Sequence, residues 1–141
     1  MEARFWMLRY SGERVVDSLE LQDVVNDIQS GDLVRCASRV YSWICAVLDW
    51  GKVVLGVLQD IRNAHEDGEE IVANIVSVKI ELDKLEFLRK ALLRYLVVGD
   101  VGVDSDRVAL WYMEGRIASN TIIRLLDLDS KFVEDPVEVY L

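Results

Sequence analysis

Apolar residues recur with helical spacing along most of this chain. Val34, Ala37, Val40, Tyr41, Ile44, Val47 and Leu48 follow the i, i+3, i+4, i+7 rule, and Asp32 stands ahead of them as a cap. Val53, Val54, Val57, Leu58 and Ile61 carry a second helix to about Asn63. Asp67-Gly68-Glu69-Glu70 has a capping-box pattern and opens the longest helix. Ile71, Ile75, Val78, Leu82, Leu85, Leu88 or Arg89, Leu92 and Tyr95 form its apolar stripe, with Lys79, Asp83, Glu86 and Lys90 on the opposite, wet face. Asp104 or Ser105 caps a short helix through Met113, and Ser119 caps another through Leu126. The pattern predicts seven or eight helices. Periodicity alone also allows the Val53 to Val57 run to be a buried strand.

The breaks between these elements come from glycine and polar clusters, because the one proline stands at position 136. They fall at Gly12, Ser30-Gly31-Asp32, Asp49-Trp50-Gly51, His65 to Gly68, Gly99 to Ser105 and Gly115 to Asn120. Asp49-Trp50-Gly51-Lys52 lies between two apolar runs and reads as a helix, a tight corner and a second helix too apolar for a surface. A helix of that kind needs others wrapped around it. The expected architecture is a single all-α domain over residues 1–141. Its centre is a hydrophobic helical hairpin of about residues 50–64 and 69–96.

Composition narrows the function. The net charge of −9 argues against binding to a phosphate backbone or an anionic membrane, both of which need clustered Lys and Arg. It serves solubility, or at sharpest a preference for basic partners. Cys36 and Cys45 are nine positions apart on a helix, hence on opposite faces, and are expected as buried thiols in a reducing compartment. No uncharged run reaches the ~18 residues that a membrane span requires, and the acidic tail from Glu134 is no anchor. Phe5, Trp6 and Met7 form an apolar cluster that either joins the core or drives self-association into a homodimer.

Catalytic equipment is sparse. His65, beside Glu66 and Asp67, is the one histidine, so neither a zinc site nor a nucleophile with its base is expected. Gly51, Gly56 and Gly68 are too scattered for a phosphate loop. Gly99 to Asp106 lacks the acid that a calcium loop requires, because position 111 is Trp. The expectation is a binding protein with no cofactor, not an enzyme.

Three short motifs carry a family resemblance. Asp49-Trp50-Gly51-Lys52 resembles the first homology motif of the Bcl-2 family, Asn-Trp-Gly-Arg. Leu8-Arg9-Tyr10-Ser11-Gly12-Glu13 resembles the third motif, with a Leu followed four residues later by Gly and an acid. Gly102-Val103-Asp104 followed by Val108 resembles the second, although Val103 replaces its Trp. The three stand in the family's order across about residues 5–115. Only seven residues precede Leu8, which would leave the family's first helix absent or vestigial, and the cellular members' membrane tail has no counterpart. Such reduction resembles the compact anti-apoptotic inhibitors of large DNA viruses.

The resemblance implies a Bcl-2-like helical bundle in the host cytoplasm, recruited to mitochondria through partners. It would hold the third-homology (BH-3) helix of a pro-apoptotic protein in an apolar groove and so block mitochondrial cell death. A Bim-like helix leads the expected partners, and Bax or Bak come next. Carried over by position, Val15, Leu19, Trp43, Val47 and Val53 would line the groove, Gly51 would let the ligand backbone approach, and Lys52 would face the ligand Asp. Lys52 in place of Arg offers a point charge, and Asp49 in place of Asn adds a like charge, so a narrow partner range is implied. The alternative is an unrelated all-α adaptor or a viral structural or assembly protein.

Overall fold

The computed structural model of the chain describes residues 2–64, 69–100 and 102–128. Five helices occur among them: α1 (Glu2–Asp17), α2 (Leu21–Gln29), α3 (Leu33–Ala64), α4 (Glu69–Val98) and α5 (Ser105–Leu128). The all-α expectation holds. Val53 to Val57, for which a strand is the open alternative, are helical. The His65 turn, the Asp67-Gly68 capping box and the tail from Glu134 lie outside the described residues.

The helix count among the described residues is lower than predicted because three expected breaks do not exist, α1 running on through Gly12, while one unexpected break falls at Ser18 to Glu20. α3 runs unbroken for 32 residues through Asp49-Trp50-Gly51-Lys52, and α5 runs through Gly115 and Ser119. In α3 the buried positions Ile44, Val47, Gly51, Val54, Leu58 and Ile61 stay in one helical phase, so the core-facing stripe never resets. Gly51 occupies a core slot within that stripe. A Cβ there would lie 2.5 Å from Leu82 Cδ2, so the glycine permits close approach of α3 and α4 and makes no turn. Ser119 is likewise no cap. It is buried, and its hydroxyl donates back to the Gly115 carbonyl at 2.7 Å.

The α2–α3 and α4–α5 junctions are each marked by both a stop and a start. Gly31 and Gly99 adopt the left-handed conformation with φ of 81° and 75°. The Gly99 N–H closes α4 by donating to the Tyr95 carbonyl at 2.9 Å. Asp32 and Asp104 then accept the backbone N–H groups of Arg35 and Arg107, each at 2.9 Å, capping α3 and α5 as expected.

α3 touches all four other helices, which makes it the hub of the bundle. It pairs most extensively with α4 in a long hairpin. This hairpin begins at Leu33, well before the predicted one, and α3 keeps a solvent face at Ser38, Ser42, Asp49 and Lys52. α2 is tied on by Asp27, whose buried carboxylate accepts from Arg39 at 2.8 Å. Cys36 is fully buried, and that burial, with Asp27 close by, pushes its thiol pKa up. Cys45 is only half-buried, which corrects the expectation of two buried thiols. Phe5 joins the core while Trp6 and Met7 remain exposed, so the amino-terminal cluster divides between its two predicted fates.

Candidate functional site

The residues assigned to a binding groove divide between opposite sides of α3. Val47 and Gly51 face the core, whereas Asp49, Lys52 and Val53 share the outer face at i, i+3 and i+4. Lys52 is exposed and has no ion pair among the described residues. Leu19 and Trp43 are buried and Val15 is half-buried, and all three contribute to a closed junction of α1, α3 and α5.

That junction is a hydrogen-bonded weld. The Trp43 indole N–H donates to the Val15 and Val16 carbonyls at 3.0 and 3.1 Å, which pins α3 to the end of α1. Its ring meets Tyr112 at a centroid distance of 4.9 Å. The Tyr112 hydroxyl donates to the Leu19 carbonyl at 2.6 Å and accepts from Arg116, which also pairs with Asp17 at 2.9 Å. Burial pulls the Arg116 guanidinium down, but Tyr112 and Asp17 more than offset it, so its pKa ends above the ordinary value. Gly115 lets α5 into this corner, since a Cβ there would meet Ile44 Cδ1 at 2.6 Å and Trp43 Cζ3 at 2.9 Å.

Residues of the first and third motifs touch each other. The Trp50 indole donates to the Leu8 carbonyl at 2.9 Å, and a Cβ on Gly12 would sit 2.2 Å from the Trp50 ring. Leu8 and Gly12 are one turn apart, so their spacing builds the crossing of α1 over α3.

A concave surface lies between α4 and α5. A cavity of about 650 Å³ is bounded by Ile80, Lys84, Phe87 and Leu88 from α4 and by Ile117 and Ala118 from α5. Glu81, Asp83 and Glu114 complete its rim. A second cavity of about 340 Å³ adjoins it, formed by Phe87, Ala91, Tyr95, Val103 and Trp111 with Lys90, Arg94 and Asp100 around it. Phe87 borders both and is 71% exposed, so the two form one groove with an aromatic ring at its middle. Of the motif residues, Val103 lines this groove.

The pattern reading overlooked this face because it sought one stripe per helix. α4 has a second apolar row, Val72, Val76, Ile80 and Phe87, and α5 has Leu110, Met113 and Ile117. All seven are exposed. An apolar row out of phase with the core stripe was the available signal. Among the described residues there is no group of three or more His, Cys, Asp or Glu placed to hold a metal ion. No helix there is long and apolar enough to cross a membrane.

Neither a family model, nor a curated protein, nor a solved structure matches the chain.

Proposed function

We propose that this chain is a non-catalytic binding protein that takes an amphipathic helix in the α4–α5 groove. The observation that supports it is the pair of joined apolar cavities around exposed Phe87. Their dimensions suit a row of side chains at i, i+3, i+4 and i+7 from a visiting helix. A wall of Ile80, Phe87, Ile117 and Trp111 offers apolar area, and each anchor fully buried on it would contribute roughly 1.5–3 kcal/mol.

The narrower form of the reading comes from the resemblance. In it the visiting helix is the third-homology helix of a pro-apoptotic protein, and its capture blocks mitochondrial cell death. The order of the three motifs supports that form. Their side chains mainly join helices together, so the binding surface is assigned to α4 and α5 and not to the surroundings of Lys52.

Fluorescence titration of a Bim-like peptide and of an unrelated amphipathic helix tests both levels. The expected result is micromolar or tighter binding of a helix, lost on Phe87→Asp and on Ile117→Asp. Binding of the unrelated helix alone would retain the general reading and remove the apoptotic one. Failure of every helix to bind would overturn both.

A further inference from the structure

The groove has a charge polarity along its length. At one end Lys84 is engaged by Glu81 at 3.3 Å, which leaves Asp83 and Glu114 without an ion pair among the described residues. At the other end Lys90 and Arg94 likewise have no ion pair, and Asp100 already accepts the Gly102 N–H at 2.9 Å. The acidic end is therefore separated from the basic end by Phe87. From Ile80 to Tyr95 the distance along α4 is about 22 Å at ~1.5 Å per residue, the length of a helix of about fifteen residues.

Resting on the reading above, we infer that the partner is a charge-segregated amphipathic helix of another protein, lying antiparallel to α4. Its acidic end faces Lys90 and Arg94, and its basic end faces Asp83 and Glu114. The direction follows from the helix itself. Acids are favoured in the first turn of a helix and bases in the last, because each opposes the partial charge of the terminus. Such a helix matches this groove with its amino terminus over Arg94 and its carboxy terminus over Asp83. The opposite direction would set like charges together at both ends. At Arg94 the partner's amino terminus also lies beside the carboxy-terminal turn of α4.

Two synthetic sixteen-residue peptides with one composition and one apolar face test this inference on the full chain. One carries acids in its first turns and bases in its last; the other interleaves them. The segregated peptide is expected to bind at least ten times more tightly at low salt, an advantage that shrinks as salt screens the rim charges. The double substitution Asp83→Lys with Glu114→Lys should abolish that advantage while an uncharged peptide of the same apolar face binds as before. A spin label on the amino terminus of the segregated peptide should broaden signals near Arg94 and leave those near Ile80 sharp.

Equal binding of both peptides, each lost on Phe87→Asp, would overturn the charge inference and spare the groove. Broadening at Ile80 would overturn the direction. Binding of none would remove the groove reading itself. A mass of two chains that Phe87→Asp halves would assign the groove to a second copy and overturn a foreign helix.

Discussion

The junction of α1, α3 and α5 and the groove between α4 and α5 draw on the same residue types and use them in opposite ways. At the junction, Trp43 and Tyr112 are buried, the indole bonding to α1 and the hydroxyl to Leu19 in the α1–α2 connection. Glycines at 12 and 115 seat the side chains of Trp50, Ile44 and Trp43 directly against their backbones, where an added Cβ would clash. At the groove, Phe87 and Ile117 remain open to solvent at 71% and 62%, and Lys90 and Arg94 have no ion pair among the described residues. Closure at one corner fixes the bundle, and incomplete closure at the other leaves apolar surface for a partner. A tryptophan and a glycine in sequence thus mark a helix crossing as readily as a binding site.

The contrast is broken most forcefully at the glycines. A Cβ on Gly12 meets the rigid indole of Trp50, which is itself tethered to Leu8, so Gly12→Ala should cost about 1–3 kcal/mol or more. Gly56 lies in the same helix as Trp50, and a Cβ there has open space for 4 Å. Gly56→Ala should therefore stabilise by about 0.5–1 kcal/mol, because alanine is the better helix former. Thermal melts of the two variants should move in opposite directions. A destabilised Gly56→Ala beside an unchanged Gly12→Ala would refute the assignment of Gly12 as a packing notch.

Those glycines also show what was legible in the sequence. Helix type, the caps at Asp32 and Asp104 and the stops at Gly31 and Gly99 could all be read, because each rests on local chemistry within a few residues. Gly51 and Gly115 could not be read by the same rule, since their role depends on Leu82, Ile44 and Trp43, which are remote in sequence. Phase is the usable clue. Gly51 continues the row Ile44, Val47, Val54 and Leu58, and Gly115 continues Tyr112, Ser119 and Ile122. A glycine in step with a core stripe fills a slot, whereas one where the stripe resets ends a helix. The groove stayed hidden because it forms only where α4 and α5, separate in sequence, lie side by side. Only the second apolar rows on those helices announced it.

An intermediate effect separates the two regions by their polar bonding. Tyr112→Phe removes the hydroxyl that donates to Leu19 and accepts from Arg116, with little change of volume. It should cost about 1–2 kcal/mol in denaturant unfolding. Phe87→Asp is chemically far more drastic, yet it should alter stability by no more than ~0.5 kcal/mol because the ring is mostly in water. Equal losses from the two would mean that the groove is as much a part of the core as the junction.

The smallest expected effect is the most discriminating for function. Lys52 lies on the outer face of α3 beside Asp49 and Val53, and lines neither cavity. Lys52→Glu should leave the unfolding midpoint unchanged, since an exposed helical position with no ion pair among the described residues contributes little. It should also leave helix binding unchanged, because Lys52 touches neither cavity and an exposed charge is screened by solvent and salt. The motif resemblance requires the opposite result, in which this lysine meets the ligand's acid and its reversal abolishes binding. Peptide titration of Lys52→Glu beside Phe87→Asp therefore decides between two faces of one molecule. Binding lost only in the lysine variant would move the site to the outer face of α3. Binding lost only in the phenylalanine variant keeps it between α4 and α5, where the open apolar surface is.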